Sequence, residues 1–280
     1  MKNIIDPKHD LFDLTGRVAI ITGGMGLLGQ KHAEVIAGAG GIPALVDIRP
    51  SGIGPNSKNW VERFGASACA IQTDITQSDS VKAMLTDVLS RYGRIDILIN
   101  NAANNPKMEK TTDIEFSRLE AFPRKQWEAD LAVGLTGAFL CSQIIGTEMA
   151  RHKRGVIVNV ASDLSVIAPD QRLYRQAELP DELQPVKPVT YSVVKAGLLG
   201  LTRYLATYWA DSGMRVNAIS PGGVYNGQPE AFVQRLANLI PLGRMAKVDE
   251  YQGAILFLCS DASSYMTGAN LIVDGGRSCW

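Results

Sequence analysis

The sequence predicts an α/β chain built on a doubly wound parallel sheet. Short apolar runs without polar alternation recur along its 280 residues, and each is followed by a longer amphipathic stretch. The octet TGGMGLLG at 22–29 follows the first run directly, placing a glycine-rich turn between the first strand and the first helix.

Taken in order, the runs are Val18–Ile21, Ala44–Val46, Ala68–Ile71, Ile95–Ile99, Val156–Val160, Arg215–Ile219 and Asn270–Val273. Runs this short and rich in Val and Ile read as parallel strands covered on both faces. Helical patterns lie between them at about 27–39, 78–91, 124–150, 190–212 and 247–260. Strand alternating with helix gives right-handed βαβ units. The alternation continues to the C-terminus with no repeat or low-complexity tract, so 1–280 reads as one domain with an N-terminal extension over 1–11.

Two segments break the rhythm. Residues 101–122 form a polar loop, and 163–189 (DLSVIAPDQRLYRQAELPDELQPVKPV) place four prolines between a strand and a helix. A loop that long inside a compact domain is usually functional, which makes it a candidate substrate cover. The competing reading is a solvated loop used for subunit contact or for nothing.

Composition narrows the function. Lys plus Arg number 28 against 28 Asp plus Glu, a net charge of zero that leaves no footprint for nucleic acid or an anionic membrane. Cys69, Cys141, Cys259 and Cys279 lie far apart, and neither they nor His9, His32 and His152 have metal-ligand spacing, so no metal is expected. The first fifteen residues contain charges and a proline but no apolar core of a signal peptide, and no segment approaches eighteen uninterrupted apolar residues. The expectation is a cytoplasmic protein acting on a small molecule.

The octet supports two spacings. Gly24, Gly26 and Gly29 form G-x-G-x-x-G, and counting from Gly23 gives T-G-x-x-G-x-x-G; a third spacing would need glycine where Leu27 stands. Either one, between a strand and a helix, suits a dinucleotide pyrophosphate: glycine lets the backbone approach, and the helix N-terminus offers amide donors. Asp47 ends the second strand, 24 residues after Gly23. A carboxylate there accepts hydrogen bonds from ribose hydroxyls and repels a 2′-phosphate, which favours NAD over NADP, although Arg49 stands nearby and a plain turn aspartate is the alternative. Tyr191 and Lys195 in TYSVVKAG share one helix face, and an ammonium beside a phenol favours the phenolate, but such pairs are also common surface contacts. Ser162 closes the strand VIVNVAS, where its hydroxyl either faces a ligand or caps the loop.

Together these residues resemble the short-chain dehydrogenase/reductase family over about residues 12–277. The ordered series is TGGMGLLG, Asp47, Asp74-Ile75, NNAA at 100–103, NVAS at 159–162, Tyr191-x-x-x-Lys195, PGGV at 221–224 and TGANLIVDGG at 267–276. The resemblance implies a Rossmann-type sheet of seven parallel strands, one nicotinamide dinucleotide, and hydride transfer to or from a carbonyl or alcohol carbon. It further implies that Tyr191 is the acid/base, that Lys195 lowers its pKa and that Ser162 bonds the substrate oxygen. Gly23, Met25, Gly26, Leu28 and Gly29 should hold the cofactor with Asp47. Asp74 and Ile75 should flank the adenine, Asn101, Ala102 and Ala103 should pass the adenosine, and Pro221, Gly222 and Val224 should line the nicotinamide. Similar enzymes are commonly homotetramers or dimers.

Three departures from the family pattern stand out. Gly134 occupies a position where the family usually has an asparagine that anchors a water beside the lysine. Asn226 stands where a threonine is common. The Ser162–Tyr191 separation is 29 residues instead of about a dozen, and the excess is the 163–189 segment. The cations Arg172, Arg175 and Lys187, with Gln171, Tyr174 and Gln176, point to a polar substrate such as a sugar, sugar acid or nucleotide-linked sugar, with Arg172 and Arg175 as substrate contacts. The alternatives are a 3-oxoacyl-thioester reductase and a non-catalytic dinucleotide-binding protein.

Overall fold

The computed structural model describes residues 10–49, 63–104 and 117–280. The N-terminal extension and most of the polar 101–122 loop therefore lie largely outside the described residues.

Seven parallel strands form one sheet: β1 Val18–Thr22, β2 Ile42–Asp47, β3 Cys69–Gln72, β4 Ile97–Asn100, β5 Gly155–Val160, β6 Met214–Pro221 and β7 Asn270–Val273. Their order across the sheet is β3-β2-β1-β4-β5-β6-β7. Each expected run lies in a strand, with ends shifted by a few residues: the third starts at Cys69, the fourth at Ile97, and the sixth extends to Pro221.

Strand side chains alternate between faces, so a strand covered on both sides must be apolar at every position. In β1, Val18 and Ile20 join one core cluster while Ala19 and Ile21 join the other. The first cluster takes Val81, Met84 and Val88 from helix α2 (Ser78–Tyr92), and Cys141, Ile145 and Met149 from helix α3 (Arg124–Arg151). Helix α4 (Val189–Tyr208) adds Leu205 and Ala206. The second cluster takes Ala33 and Ile36 from helix α1 (Leu27–Gly38).

By length and composition α3 could cross a membrane, with a mean hydropathy of 1.4 over its most apolar window. Its residues Gly134, Ala138, Cys141, Ile145 and Met149 recur every three or four positions and are buried, the stripe of a core helix. Two π turns interrupt it, at Ala132–Thr136 and Ser142–Gly146.

Two helical expectations change. Helix α5 (Glu230–Ala237) was not expected, and the pattern at 247–260 contracts to helix α6 (Gln252–Cys259), whose Ile255 and Leu258 complete the second cluster. The 163–189 segment is a wound structure rather than a free loop. It makes single turns at Asp163–Ser165, Gln171–Tyr174 and Asp181–Leu183. Buried Gln184 ties it together, accepting from Gln176 N and donating to the carbonyls of Gln176 and Leu179. Leu173 and Tyr174 pack on Phe232 and Leu236 of α5, forming a small core of their own.

Candidate active site

The strand order reverses between β1 and β4, and ligands bind beyond the carboxyl ends of strands at such a point. A cleft of about 990 Å³ opens there. Its walls include Gly23, Gly26, Leu28, Asp47, Asp74, Ile75, Asn101, Ala102 and Ala103 at one end. Ser162, Tyr191, Lys195, Pro221, Gly222 and Val224 line the other. The two halves of the expected site are therefore brought into one cavity.

The glycine turn shows why those positions tolerate no side chain. Gly23 has φ +61°, and a β-carbon there would lie 2.9 Å from Ala102 Cα. A β-carbon at Gly29 would collide with the Gly23 carbonyl oxygen, so Gly29 seats α1 against the turn instead of lining the cleft. Gly26, the N-cap of α1, has no side-chain oxygen to spend on the first helical turn, which leaves those amides for a ligand. Asn101 locks the turn to the end of β4: its Nδ2 donates to the Thr22 and Gly23 carbonyls, at 3.0 and 3.2 Å. A dinucleotide fits this cradle of bare backbone.

Asp47 is 8% exposed and held from two sides. Its Oδ2 accepts from Met25 N at 3.1 Å, and Arg49 donates to both oxygens at 3.0 Å. Met25 thus positions the acid without lining the cleft. Burial pushes the Asp47 carboxyl up, but hydrogen bonds from Arg49 and Met25 outweigh it and hold the group below the usual range.

Ser162 both caps a turn and lines the cleft. Its Oγ caps the turn that follows, accepting from Leu164 N at 3.2 Å, and it also faces the cleft. The hydroxyl donates to Asp163 Oδ1 at 2.8 Å, while Arg277 Nη1 lies 2.7 Å from Asp163 Oδ2. Both charged side chains are nearly closed to solvent, so a buried ion pair sits behind the serine. Sequence reasoning missed it, because its members stand 114 residues apart.

Lys195 Nζ donates to the Val160 carbonyl at 2.7 Å and lies 5.9 Å from the centre of the Tyr191 ring. A second ammonium, Lys187, lies 3.8 Å over that ring. Burial and then the charge of Lys187 lower Lys195 to about 8; burial likewise lowers Lys187 to about 8, against an opposing pull from Asp163. In the protein alone, burial raises the Tyr191 phenol above its ordinary value, with Ser162 pulling it down and Asp163 pushing it up. The expected lowering by Lys195 is therefore not the dominant effect there.

Gly134 receives a physical explanation. A β-carbon at 134 would meet Val194 Cγ1 at 2.5 Å, and the branched valine on α4 has little freedom to turn away. The two positions form a matched pair in which no side chain fits at 134.

The wound 163–189 segment supplies part of the cleft wall beside Tyr191, and its two arginines behave differently. Arg175 lines the cleft and pairs with Asp181 at 3.3 Å. Arg172 is not among the lining residues; its guanidinium is 80% exposed and binds Asp170 at 2.7 Å, so that expected contact is corrected. Gln176, Glu178, Lys187 and Arg235 add polar wall, while Leu173, Phe232, Leu236 and Met245 add an apolar one. Asn226 also lines the cleft. Among the described residues no group of three metal-ligating side chains occurs, and Cys279 is the one exposed thiol.

Comparison with known proteins agrees with this geometry. The family profile described as short chain dehydrogenase matches residues 17–174, and one described as Enoyl-(Acyl carrier protein) reductase matches 183–278. The chain is 34% identical over 274 residues to the NAD-dependent glycerol dehydrogenase of Listeria innocua, covering 95% of each. It is 32% identical over 277 residues to the NADP-dependent mannitol dehydrogenase of Alternaria alternata, covering 95% of this chain and 94% of that protein. A gluconate 5-dehydrogenase from Burkholderia cenocepacia, solved with NADP and tartrate, superposes with a TM-score of 0.83 at 28% identity, covering 97% and 98% of the two chains. The chain belongs to the short-chain dehydrogenase/reductase family, oxidoreductases that use a nicotinamide cofactor on alcohols and ketones.

Proposed function

We propose that this protein interconverts a secondary alcohol and its ketone on a small polar molecule of the polyol, sugar or sugar-acid type, with NAD(H) as its cofactor. The observation that carries this reading is the single cleft in which the glycine turn and Asp47 meet Ser162, Tyr191 and Lys195. The bound nicotinamide supplies or accepts the hydride. Tyr191 takes the hydroxyl proton in oxidation and returns it in reduction. Ser162 bonds the substrate oxygen as charge develops on it. Lys195 places a positive charge behind the phenol.

The relatives support the substrate class, since their names specify glycerol, mannitol and gluconate. The polar wall of Arg175, Gln176, Lys187 and Arg235 supports it independently. An acyl-thioester is the competing reading, favoured by the apolar wall of Leu173, Phe232, Leu236 and Met245. Initial rates with polyols, aldonates and a 3-oxoacyl thioester decide between them. We expect the highest kcat/KM in the first two groups; a thioester that outpaces them all would overturn the assignment.

Asp47 carries the preference for NAD over NADP. A 2′-phosphate beside its carboxylate meets a like charge worth about 1–4 kcal/mol at a partly exposed site, or roughly tenfold or more in binding. In Asp47→Ser the repulsion disappears and Arg49 is released to meet the phosphate. The ratio of kcat/KM for NADP over NAD rises by at least about tenfold in that variant. An unchanged ratio would remove Asp47 from cofactor choice.

Self-association is part of the same proposal. Phe139 on α3, and Tyr204 and Tyr208 stacked on α4, expose 44%, 63% and 65% of their surface, an apolar face suited to a second copy of the chain.

A further inference from the structure

The residue four positions before Tyr191 brings a second ammonium to the reacting centre. Lys187 lines the cleft, and its Nζ stands 3.8 Å over the Tyr191 ring. Local structure holds it there. Its backbone N donates to Gln171 Oε1 at 2.8 Å, and the Val186 N beside it donates to Ser117 Oγ at 3.2 Å. Pro185 and Pro188 fix φ close by on either side. Pro188 is also the N-cap of α4, whose first turn closes from Tyr191 N to the Pro188 carbonyl. One constrained start to α4 therefore carries both the phenol and the ammonium beside it.

An ammonium drawn out of water is costly unless an anion or a ring face meets it. Burial lowers Lys187 to about 8, and the charge of Asp163 pulls the other way. Asp163 also meets Arg277 at 2.7 Å, so one carboxylate serves two cations. Arg175 and Arg235 add positive charge at the exposed rim of the same wall, where Glu178 is the other acid. The substrate end therefore carries more positive than negative charge around the catalytic ring. A carboxylate suits that field, whereas a phosphate dianion meets the Asp163 charge with one ammonium to hold it. Position matters as well as sign. An anion at the far end of a sugar chain lies away from the Tyr191 ring. One beside the reacting carbon reaches Lys187 while the phenol holds the substrate oxygen.

We propose that Lys187 is the specificity-determining residue of this site, binding the carboxylate of a sugar acid whose reacting carbon lies next to that carboxylate or one carbon further. The assignment rests on the oxidoreductase reading above and narrows its substrate class to 2- and 3-hydroxy acids. Hydrogen bonds between an ammonium and a carboxylate are charge-assisted, and they strengthen where water is thinned out.

The test compares acids with alcohols of the same chain at pH 7, gluconate with sorbitol and xylonate with xylitol. Lys187 and Lys195, each lowered to about 8, are still protonated there. We expect the wild type to favour the acids in kcat/KM and to form a 2- or 3-keto acid, identified by NMR. In Lys187→Met that preference falls by at least about tenfold, through KM for the acids, the loss expected for one hydrogen bond between charged groups. Lys187→Arg keeps a cation and recovers much of the preference, a rescue that a merely structural role does not give. Lys187→Gln stands in if Lys187→Met does not fold. Without turnover, calorimetry of gluconate binding to the enzyme with NADH shows the same loss. An equal fall for acids and alcohols would mean that the ammonium serves only the phenol. A 5-keto product would put the carboxylate elsewhere, and either result overturns the assignment. A wild type that oxidises none of these compounds counts against the substrate reading instead, with gluconate binding still deciding the role of Lys187.

Discussion

Tyr191→Phe is expected to lower turnover by about 10²–10⁴-fold while leaving NADH binding intact, the range for removing a positioned acid/base. The substitution deletes one oxygen and keeps the ring on which Lys187 sits at 3.8 Å, so packing is preserved. The pH profile carries further information. Oxidation uses the phenolate, and burial holds the phenol above its ordinary value, so kcat for oxidation climbs with pH while kcat for reduction falls. Lys195 is lowered to about 8 by burial and by Lys187, so its charge aids the phenolate fully below that pH and fades above it. In Lys187→Met the like charge is gone, and the pH at which Lys195 loses its proton rises. Steady-state rates in both directions between pH 6 and 10, a range that spans the Lys195 titration and the rising limb of the Tyr191 one, measure each effect. A Tyr191→Phe enzyme within a few-fold of wild type would show that another group moves the proton.

The sheet was legible because strands buried on both faces leave a dense local signal, as VAII, ILIN and VIVNV do. The residues expected to hold the cofactor share one cleft for a related reason: they cluster in short segments at strand ends, where β1, β2, β4 and β6 bring them together. Other features left no local trace. Helix α5 spans eight residues after a run rich in glycine and proline, too short for its period to stand out. The 163–189 segment reads as polar, yet its order comes from Gln184 bonding backbone within the segment and from Leu173 packing against a helix 60 residues on. Gly134, read alone, is only a departure from the family's usual asparagine; beside Val194 it is one half of a packing pair. Contacts of this kind join positions that no window of sequence contains.

Arg277→Met is expected to destabilise the protein by about 3–5 kcal/mol, because it strands the Asp163 carboxylate without its partner in a site nearly closed to solvent. For a domain of this size that corresponds to a fall in Tm of about 10 °C. The same change reaches the chemistry. Asp163 Oδ1 accepts the Ser162 hydroxyl and Oδ2 meets Arg277, so the arginine just past β7 orients the proposed substrate-binding serine through one carboxylate. With the arginine gone, the carboxylate draws the Ser162 proton more strongly and withholds it from the substrate oxygen, so kcat falls beyond what the stability loss explains. The double variant Asp163→Asn/Arg277→Met separates the two effects. Replacing both charges leaves none stranded, and much of the lost Tm returns. The neutral amide oxygen accepts the Ser162 hydroxyl more weakly than the carboxylate does, so part of kcat recovers as well. Thermal unfolding and kcat measured on the wild type, both single variants and the double variant complete the cycle. Strict additivity in Tm and kcat would mean that the ion pair and the serine act separately, and the coupling argued from their geometry would be wrong.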